Sequence, residues 1–262
     1  MEPGALALWS APAERSDDGA FGNPHAPPLL HAHQKAVSRC ACHRTPKIFT
    51  LNMNTPLVLI CFAVKEEAKF MRQNADARIL VTGMGQKNAA ESLRKELALA
   101  RPELLLTCGF AGGLNPKLKL TDIVFDADSE SGLAEKLTGL GAVPARFHFA
   151  DRVAVTAVEK QSLWQSTGAD AVEMESFVMR KICRENKIPS VTVRVISDEA
   201  GEDLPLDFNA LMTPDCRIDF AKLALKLLSG PQKIPRLMKF QKQTILAARK
   251  LAETLETLLS AR

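Results

Sequence analysis

A series of short, almost wholly apolar runs, each followed within a few residues by a helical stretch, constrains this chain most. Pro56-Leu-Val-Leu-Ile-Cys-Phe-Ala63 runs into a helix start at Lys65-Glu-Glu-Ala-Lys-Phe-Met71. Arg78-Ile-Leu-Val-Thr82 is broken by Gly83-Met-Gly85, after which Ala89, Ala90, Leu93 and Leu97 share one helical face. Glu103-Leu-Leu-Leu-Thr-Cys108 and Ser190-Val-Thr-Val-Arg-Val-Ile196 read as further strands, with Asp122-Ile-Val-Phe125 and Val153-Ala-Val155 as shorter ones. Residues 173–187 read as a helix that Pro189 ends, and 216–229 and 236–260 as two more around Gly230-Pro231. Strands without polar alternation must be covered on both faces. The pattern therefore predicts a three-layer α/β/α fold around a mostly parallel or mixed twisted sheet. At 262 residues, 46% of them hydrophobic, the chain can fill one such core.

Ligands in sheets of this kind gather outside the carboxyl ends of strands. The residues found there are Glu66 and Glu67, Gly83 to Gly85, Gly109-Phe-Ala-Gly-Gly113, and Asp198. Neither glycine turn completes a dinucleotide fingerprint, and no phosphate-cradling loop ends in Gly-Lys-Ser/Thr. Taken alone, Gly83-x-Gly85 is a tight turn where helix meets sheet. The acids say more. A carboxylic acid at Asp198 can donate a proton if burial raises its pKa, and a carboxylate opposite can accept one from water. Glu175, in Glu173-Met-Glu175 at a helix start, can grip a vicinal diol through two hydrogen bonds. Each acid singly reads as a solvated surface group. Three separated carboxylates on one rim point instead to hydrolysis or transfer at a glycosidic carbon, whose cation-like transition state nearby negative charge stabilises.

The rest of the chain narrows the partners. Net charge is +4 overall but +1 over residues 1–53, −4 over 54–216 and +7 over 217–262, so an acidic middle argues against a nucleic-acid partner. The six cysteines make no disulfide-dense scaffold, which fits a reducing, cytoplasmic compartment. Residues 1–53 hold six of the fifteen prolines and no lasting period, and read as an irregular extension before a single domain over 54–262. Cys40-Ala-Cys-His43 has metal-ligating residue types but few others follow it, and no metal is assigned. At the other end Lys233, Arg236, Lys239, Lys242, Arg249 and Lys250 accompany an apolar stripe from Ile234 to Leu259. Residues 233–259 could lie on an anionic membrane surface as a basic amphipathic helix; the plainer account is a core-covering helix with a solvated basic face.

Ala63-Val-Lys-Glu-Glu67, Thr82-Gly-Met-Gly85, Cys108-Gly-Phe-Ala-Gly-Gly-Leu114, Ala171-Val-Glu-Met-Glu-Ser176 and Val193-Arg-Val-Ile-Ser-Asp198 occur in that order. Together they resemble the purine nucleoside phosphorylase and methylthioadenosine/adenosylhomocysteine nucleosidase superfamily. The resemblance implies that Asp198 protonates the purine as its bond to ribose breaks and that Glu175 clamps the ribose diol. Glu67 would orient water, and Met174 and Glu173 would shape the sugar pocket. Gly85, Phe110, Ala111, Gly112 and Arg194 would line the site, and Phe208 would close over the nucleoside. It also implies adenine release from an adenosyl-type nucleoside, a homodimer or larger assembly, and no cofactor. Inorganic phosphate is the alternative nucleophile, with Arg78, Arg194 and the backbone near Gly85 as candidate donors. A non-catalytic nucleoside-binding module is the third reading.

Two departures from the family pattern refine this. Phe110 stands where many relatives carry a small hydroxyl residue, which weakens phosphorolysis. Only sixty residues separate Gly113 from Glu173. With the run Thr167-Gly-Ala-Asp-Ala-Val-Glu-Met-Glu-Ser176, these features resemble a short hopanoid-biosynthesis phosphorylase or nucleosidase branch, which would imply a lipid-linked adenosyl substrate. Futalosine hydrolases also resemble the superfamily, but often carry Asn where this chain has Asp198.

Overall fold

The strand carrying both Arg194 and Asp198 is the longest fully buried element of the sheet. In the computed structural model, which describes residues 58–213, 219–228 and 231–260, the strands are β1 (Val58–Phe62), β2 (Ala77–Val81), β3 (Leu104–Gly113), β4 (Ile123–Ala127), β5 (Val143–Pro144), β6 (Phe147–Phe149), β7 (Ala171–Glu173) and β8 (Ser190–Asp198). The helices are α1 (Lys65–Ala68), α2 (Gln86–Leu99), α3 (Ala134–Gly139), α4 (Ala157–Thr167), α5 (Ser176–Glu185), α6 (Phe208–Leu211), α7 (Phe220–Leu228) and α8 (Ile234–Ser260). The proposed extension over 1–53, the Cys40-Ala-Cys-His43 motif, Cys216 and Gly230 lie outside the described residues.

The sheet runs β2-β1-β3-β8-β4-β5, with β7 paired to β3 and β6 to β7. Its centre is parallel, while β4 runs antiparallel to β8 and β7 antiparallel to β3, so the sheet is mixed. Alternate residues of the central strands feed two apolar layers. Ile60, Phe62, Leu106, Cys108, Val193 and Val195 pack with Ala247, Leu251, Leu255 and Leu258 of α8. Leu59, Cys61 and Leu105 pack with Ala89 and Leu93 of α2 and Met179 and Ile182 of α5. Leu255 is fully buried, so Leu255→Ala there costs about 3 kcal/mol. The outer layers confirm the three-layer α/β/α expectation.

Local structure departs from the sequence reading in two places that matter to the site. Val153-Ala-Val155 is not a strand: the Val153 amide donates to Asn209 Oδ1 at 2.8 Å and the Val155 amide to Glu159 Oε2 at 3.0 Å. Side chains there satisfy the backbone groups that a neighbouring strand would otherwise have to reach. The helix expected from 173 starts at Ser176; Glu173 ends β7 and Glu175 is the residue just before α5.

At the other end of the chain α8 commits its apolar stripe from Ala247 to Leu258 to the core, as the core-covering account expects. No helix among the described residues is long and apolar enough to cross a membrane. Cys61, Cys108 and Cys183 are buried free thiols; burial pushes the Cys183 thiol up to about 12 and raises the other two further.

Candidate active site

Arg194 is 1% exposed in the middle of β8, and a buried guanidinium must be met by acceptors. It donates to the Cys108 carbonyl at 3.0 Å, to Thr107 Oγ1 at 3.3 Å and to Glu173 Oε2, and lies 3.6 Å from Glu175 Oε2. Gly109, paired with Arg194 across β3 and β8, makes room for this approach. A Cβ there would lie 2.5 Å from Glu67 Oε1 and would overlap the guanidinium, and the residue's φ is +150°. Glu67, Glu173, Glu175 and Arg194 are thereby drawn into one buried cluster, although 127 positions separate Glu67 from Arg194 in the chain.

Each acid is held differently. Glu67 Oε2 accepts the amides of Ala63 at 2.8 Å and Val64 at 3.1 Å, and its Oε1 accepts the Phe110 amide at 2.8 Å. Glu173 caps α5: it accepts the amides of Glu175 and Ser176 and, at 2.7 Å, the Ser176 hydroxyl. Glu175 has fewer donors. Its Oε1 accepts the Gly85 amide at 2.9 Å, where two glycines at positive φ turn the chain into α2. One cation facing three carboxylates cannot neutralise them all. Burial, with Glu173 and Glu67 adding to it, pushes the Glu175 carboxyl up to about 7 against the pull of Arg194. Burial also raises Glu67, opposed by Arg194 and the three amides.

Asp198 ends β8, where the register against β3 slips between Ala111 and Gly112 and leaves Ser197 as the extra residue. Such a bulge re-aims the side chain that follows it. The run Gly109–Gly113, expected as a turn, is the second half of strand β3, and a Cβ on Gly112 there would lie 3.1 Å from Val172 Cγ1 and 3.3 Å from Asp198 Oδ2, so this glycine makes room for the carboxyl. The Ser197 hydroxyl donates to Asp198 Oδ1 at 2.7 Å. Lys160 of α4, with no exposed surface, donates to Asp198 Oδ2 and, at 2.9 Å each, to the carbonyls of Glu199 and Glu202. Burial raises the Asp198 carboxyl and the Lys160 ammonium opposes that rise.

The sequence reading missed Lys160. One lysine on a helix opened by a Thr156 cap looks like any solvated cation. The only available signal was indirect: a buried Asp198 needs a counter-ion from outside the recognised motifs. Of the other named residues, Ala111 pairs with Ile196 beside the bulge and Met174 sits half-buried between the two cluster glutamates. Phe110 contributes its amide to Glu67 while its ring packs toward the α8 layer. Phe208 opens α6 with its ring 5.7 Å from that of Phe240, so its placement in the described structure is against α8. Arg78, a candidate phosphate donor, pairs instead with Glu96 at 2.8 Å.

The chain is similar to known proteins over this region. Residues 133–229 match the Phosphorylase superfamily. A 5′-methylthioadenosine/S-adenosylhomocysteine nucleosidase of Glaesserella parasuis is 27% identical over 172 residues, 53% of this chain and 75% of that protein. One from Geobacillus thermodenitrificans is 27% identical over 194 residues, 60% of this chain and 80% of that one. Among solved structures, a Helicobacter pylori nucleosidase of the same description, bound to butyl-thio-DADMe-Immucillin-A, superposes with TM-score 0.59 at 16% identity, covering 80% of this chain and all of that one. A futalosine hydrolase of the same organism gives 0.58 at 16%, covering 79% and 99%. The fold is therefore that of nucleoside phosphorylases and nucleosidases, and it does not separate nucleosidase from futalosine hydrolase.

These relatives overturn the placement in a hopanoid-associated branch, from which the lipid-linked substrate was read. The run Thr167 to Ser176 that suggested that branch has a general structural job. Gly168 ends α4 at φ +64°, Asp170 accepts Asn115 Nδ2 at 2.8 Å and the Arg146 amide at 3.0 Å, and Glu173 caps α5.

Proposed function

We propose that this protein is a purine nucleosidase that cleaves the N-ribosidic bond of an adenosyl-type nucleoside and releases adenine. Asp198 protonates the leaving base, Glu175 accepts hydrogen bonds from the 2′- and 3′-hydroxyls, and Glu67 takes a proton from the attacking water. The observation that carries this reading is the pairing on β8 of a buried acid held by a lysine with a carboxylate cluster built round Arg194. Protonation removes the negative charge that would build up on the base. The cluster's net negative charge favours the positive character that develops at the sugar carbon. The bond to the base breaks, a bond from water oxygen to that carbon forms, and the water's second proton passes to Glu67.

Water is favoured over phosphate as the nucleophile by where the cations are. Arg194 faces Glu173, Glu175, the Cys108 carbonyl and the Thr107 hydroxyl, and Arg78 pairs with Glu96, so both cations already have anionic partners. The test is adenine release from 5′-methylthioadenosine with and without inorganic phosphate. Free sugar should form at the same rate in both; sugar 1-phosphate formed only with phosphate would refute the hydrolytic reading. Asp198→Asn should still fold, though less stably because Lys160 loses its carboxylate partner, and lose about 10²–10⁴ in kcat; unchanged turnover would remove its role as acid.

A further inference from the structure

We propose that Gln243, on the long helix α8, is a positioning residue for the proton donor: through Glu202 it holds the turn whose carbonyls fix Lys160, and Lys160 fixes Asp198. The inference rests on the nucleosidase reading for what the positioned acid does. Four links build the path. Gln243 Nε2 donates to both carboxylate oxygens of Glu202, at 3.1 and 3.0 Å, and Lys239 Nζ adds a third donor at 2.8 Å. The Glu202 amide closes a turn on the Glu199 carbonyl at 3.0 Å. Lys160 donates to the carbonyls at both ends of that turn, and its remaining donor goes to Asp198. Lys160 thus has its full set of three acceptors only while the turn keeps its shape.

Three observations set Gln243 apart from a chance surface contact. It is 9% exposed and stands in the same i, i+4 row as Ala247, Leu251 and Leu255, all buried in the core. A helix that only covered the sheet would carry an apolar side chain there, because burying an amide is unfavourable unless it is bonded. The turn also borders open space. A cleft of about 740 Å³ lies beside it, lined by Glu199, Glu202, Phe240 and Gln243 among others, so a released turn has somewhere to go. The tether at the other end of the turn is weaker: Glu199, 38% exposed, accepts Lys119 Nζ at 3.3 Å and the Leu120 amide at 3.2 Å. Glu202 has a second effect in the same direction, since its charge favours the protonated form of Asp198.

The test compares the full-length protein with Gln243→Leu, which keeps the helix and the burial, and Glu202→Gln, whose amide oxygen can still accept one bond from Gln243. Lys242→Gln, an exposed neighbour on α8, is the control. Hydrogen exchange of peptides covering 199–204 reads the turn, and steady-state adenine release from 5′-methylthioadenosine reads the acid. Gln243→Leu should exchange faster in that segment alone and lose about tenfold in kcat, with KM within about twofold and an unfolding temperature near that of the parent. Glu202→Gln should fall between the two and Lys242→Gln should match the parent. Unchanged exchange in a folded Gln243→Leu overturns the tether. Faster exchange with kcat retained, or a raised KM alone, overturns the positioning role. If the parent released no adenine at all, the nucleosidase reading and the positioning role would fail together, while exchange would still decide the tether.

Discussion

Lys160→Met takes away the only cation bonded to Asp198 among the described residues while nearly preserving side-chain volume. The lysine is completely buried and its partner's carboxyl is 7% exposed, so screening by water is slight. Removing one member of a buried pair costs about 3–5 kcal/mol, because the other charge is left without compensation. Here two carbonyls, of Glu199 and Glu202, also lose their 2.9 Å donor. Asp198 can limit the damage by holding a proton. Burial already raises its pKa, and Lys160 is the foremost influence lowering it, so the variant's Asp198 titrates higher still. The native state then binds more protons than the unfolded state above the ordinary carboxylate pKa of about 3.9, and stability falls as pH rises from there. Urea unfolding should show a loss of about 4 kcal/mol at pH 8 and about half that at pH 5. Adding Asp198→Asn removes the unpaired charge and should restore about 1–2 kcal/mol at pH 8. A loss under about 1 kcal/mol at pH 8, or a double variant no more stable than Lys160→Met, would refute this account of the pair.

Two further outcomes follow from the Arg194 cluster. The Glu175 carboxyl is raised to about 7, so its contribution is fully present below its unfolded pKa and is lost as pH climbs toward 7, a change of about 3 kcal/mol. Glu175→Gln should flatten the stability profile between about pH 4.5 and 7; an unaltered slope would show that another group titrates there. Gly109→Ala would push its methyl into Glu67 and Arg194 at a backbone conformation that disfavours a side chain. It should destabilise by about 3 kcal/mol and abolish adenine release, and a variant with native stability and kcat would show that the cluster is not packed against that strand.

The alternation of apolar strands with helices was legible from residue types alone, because a strand buried on both faces cannot afford polar alternation. The Gly83-x-Gly85 turn, the small residues of the Gly109–Gly113 run (a strand rather than the expected turn) and the acids at strand ends were legible for a related reason. Gly109 and Gly112 are small where Arg194, Glu67 and Asp198 need the space, and that requirement is written into the local sequence. Val153 to Val155 misled because short β-branched runs suit any extended backbone, whereas in the structure Asn209, Glu159 and the Leu204 amide take up their backbone groups in place of a neighbouring strand.

What the tertiary structure alone decided is which charges meet. Asp198 lies 38 positions from Lys160, and Glu202 lies 41 from Gln243. Nothing in the local sequence of α4 or α8 distinguishes these two side chains from solvated neighbours. Residue types and their spacing set the layers and supplied the carboxylates; folding chose their partners, because a buried charge is tolerated only where long-range packing brings it an opposite or a donor.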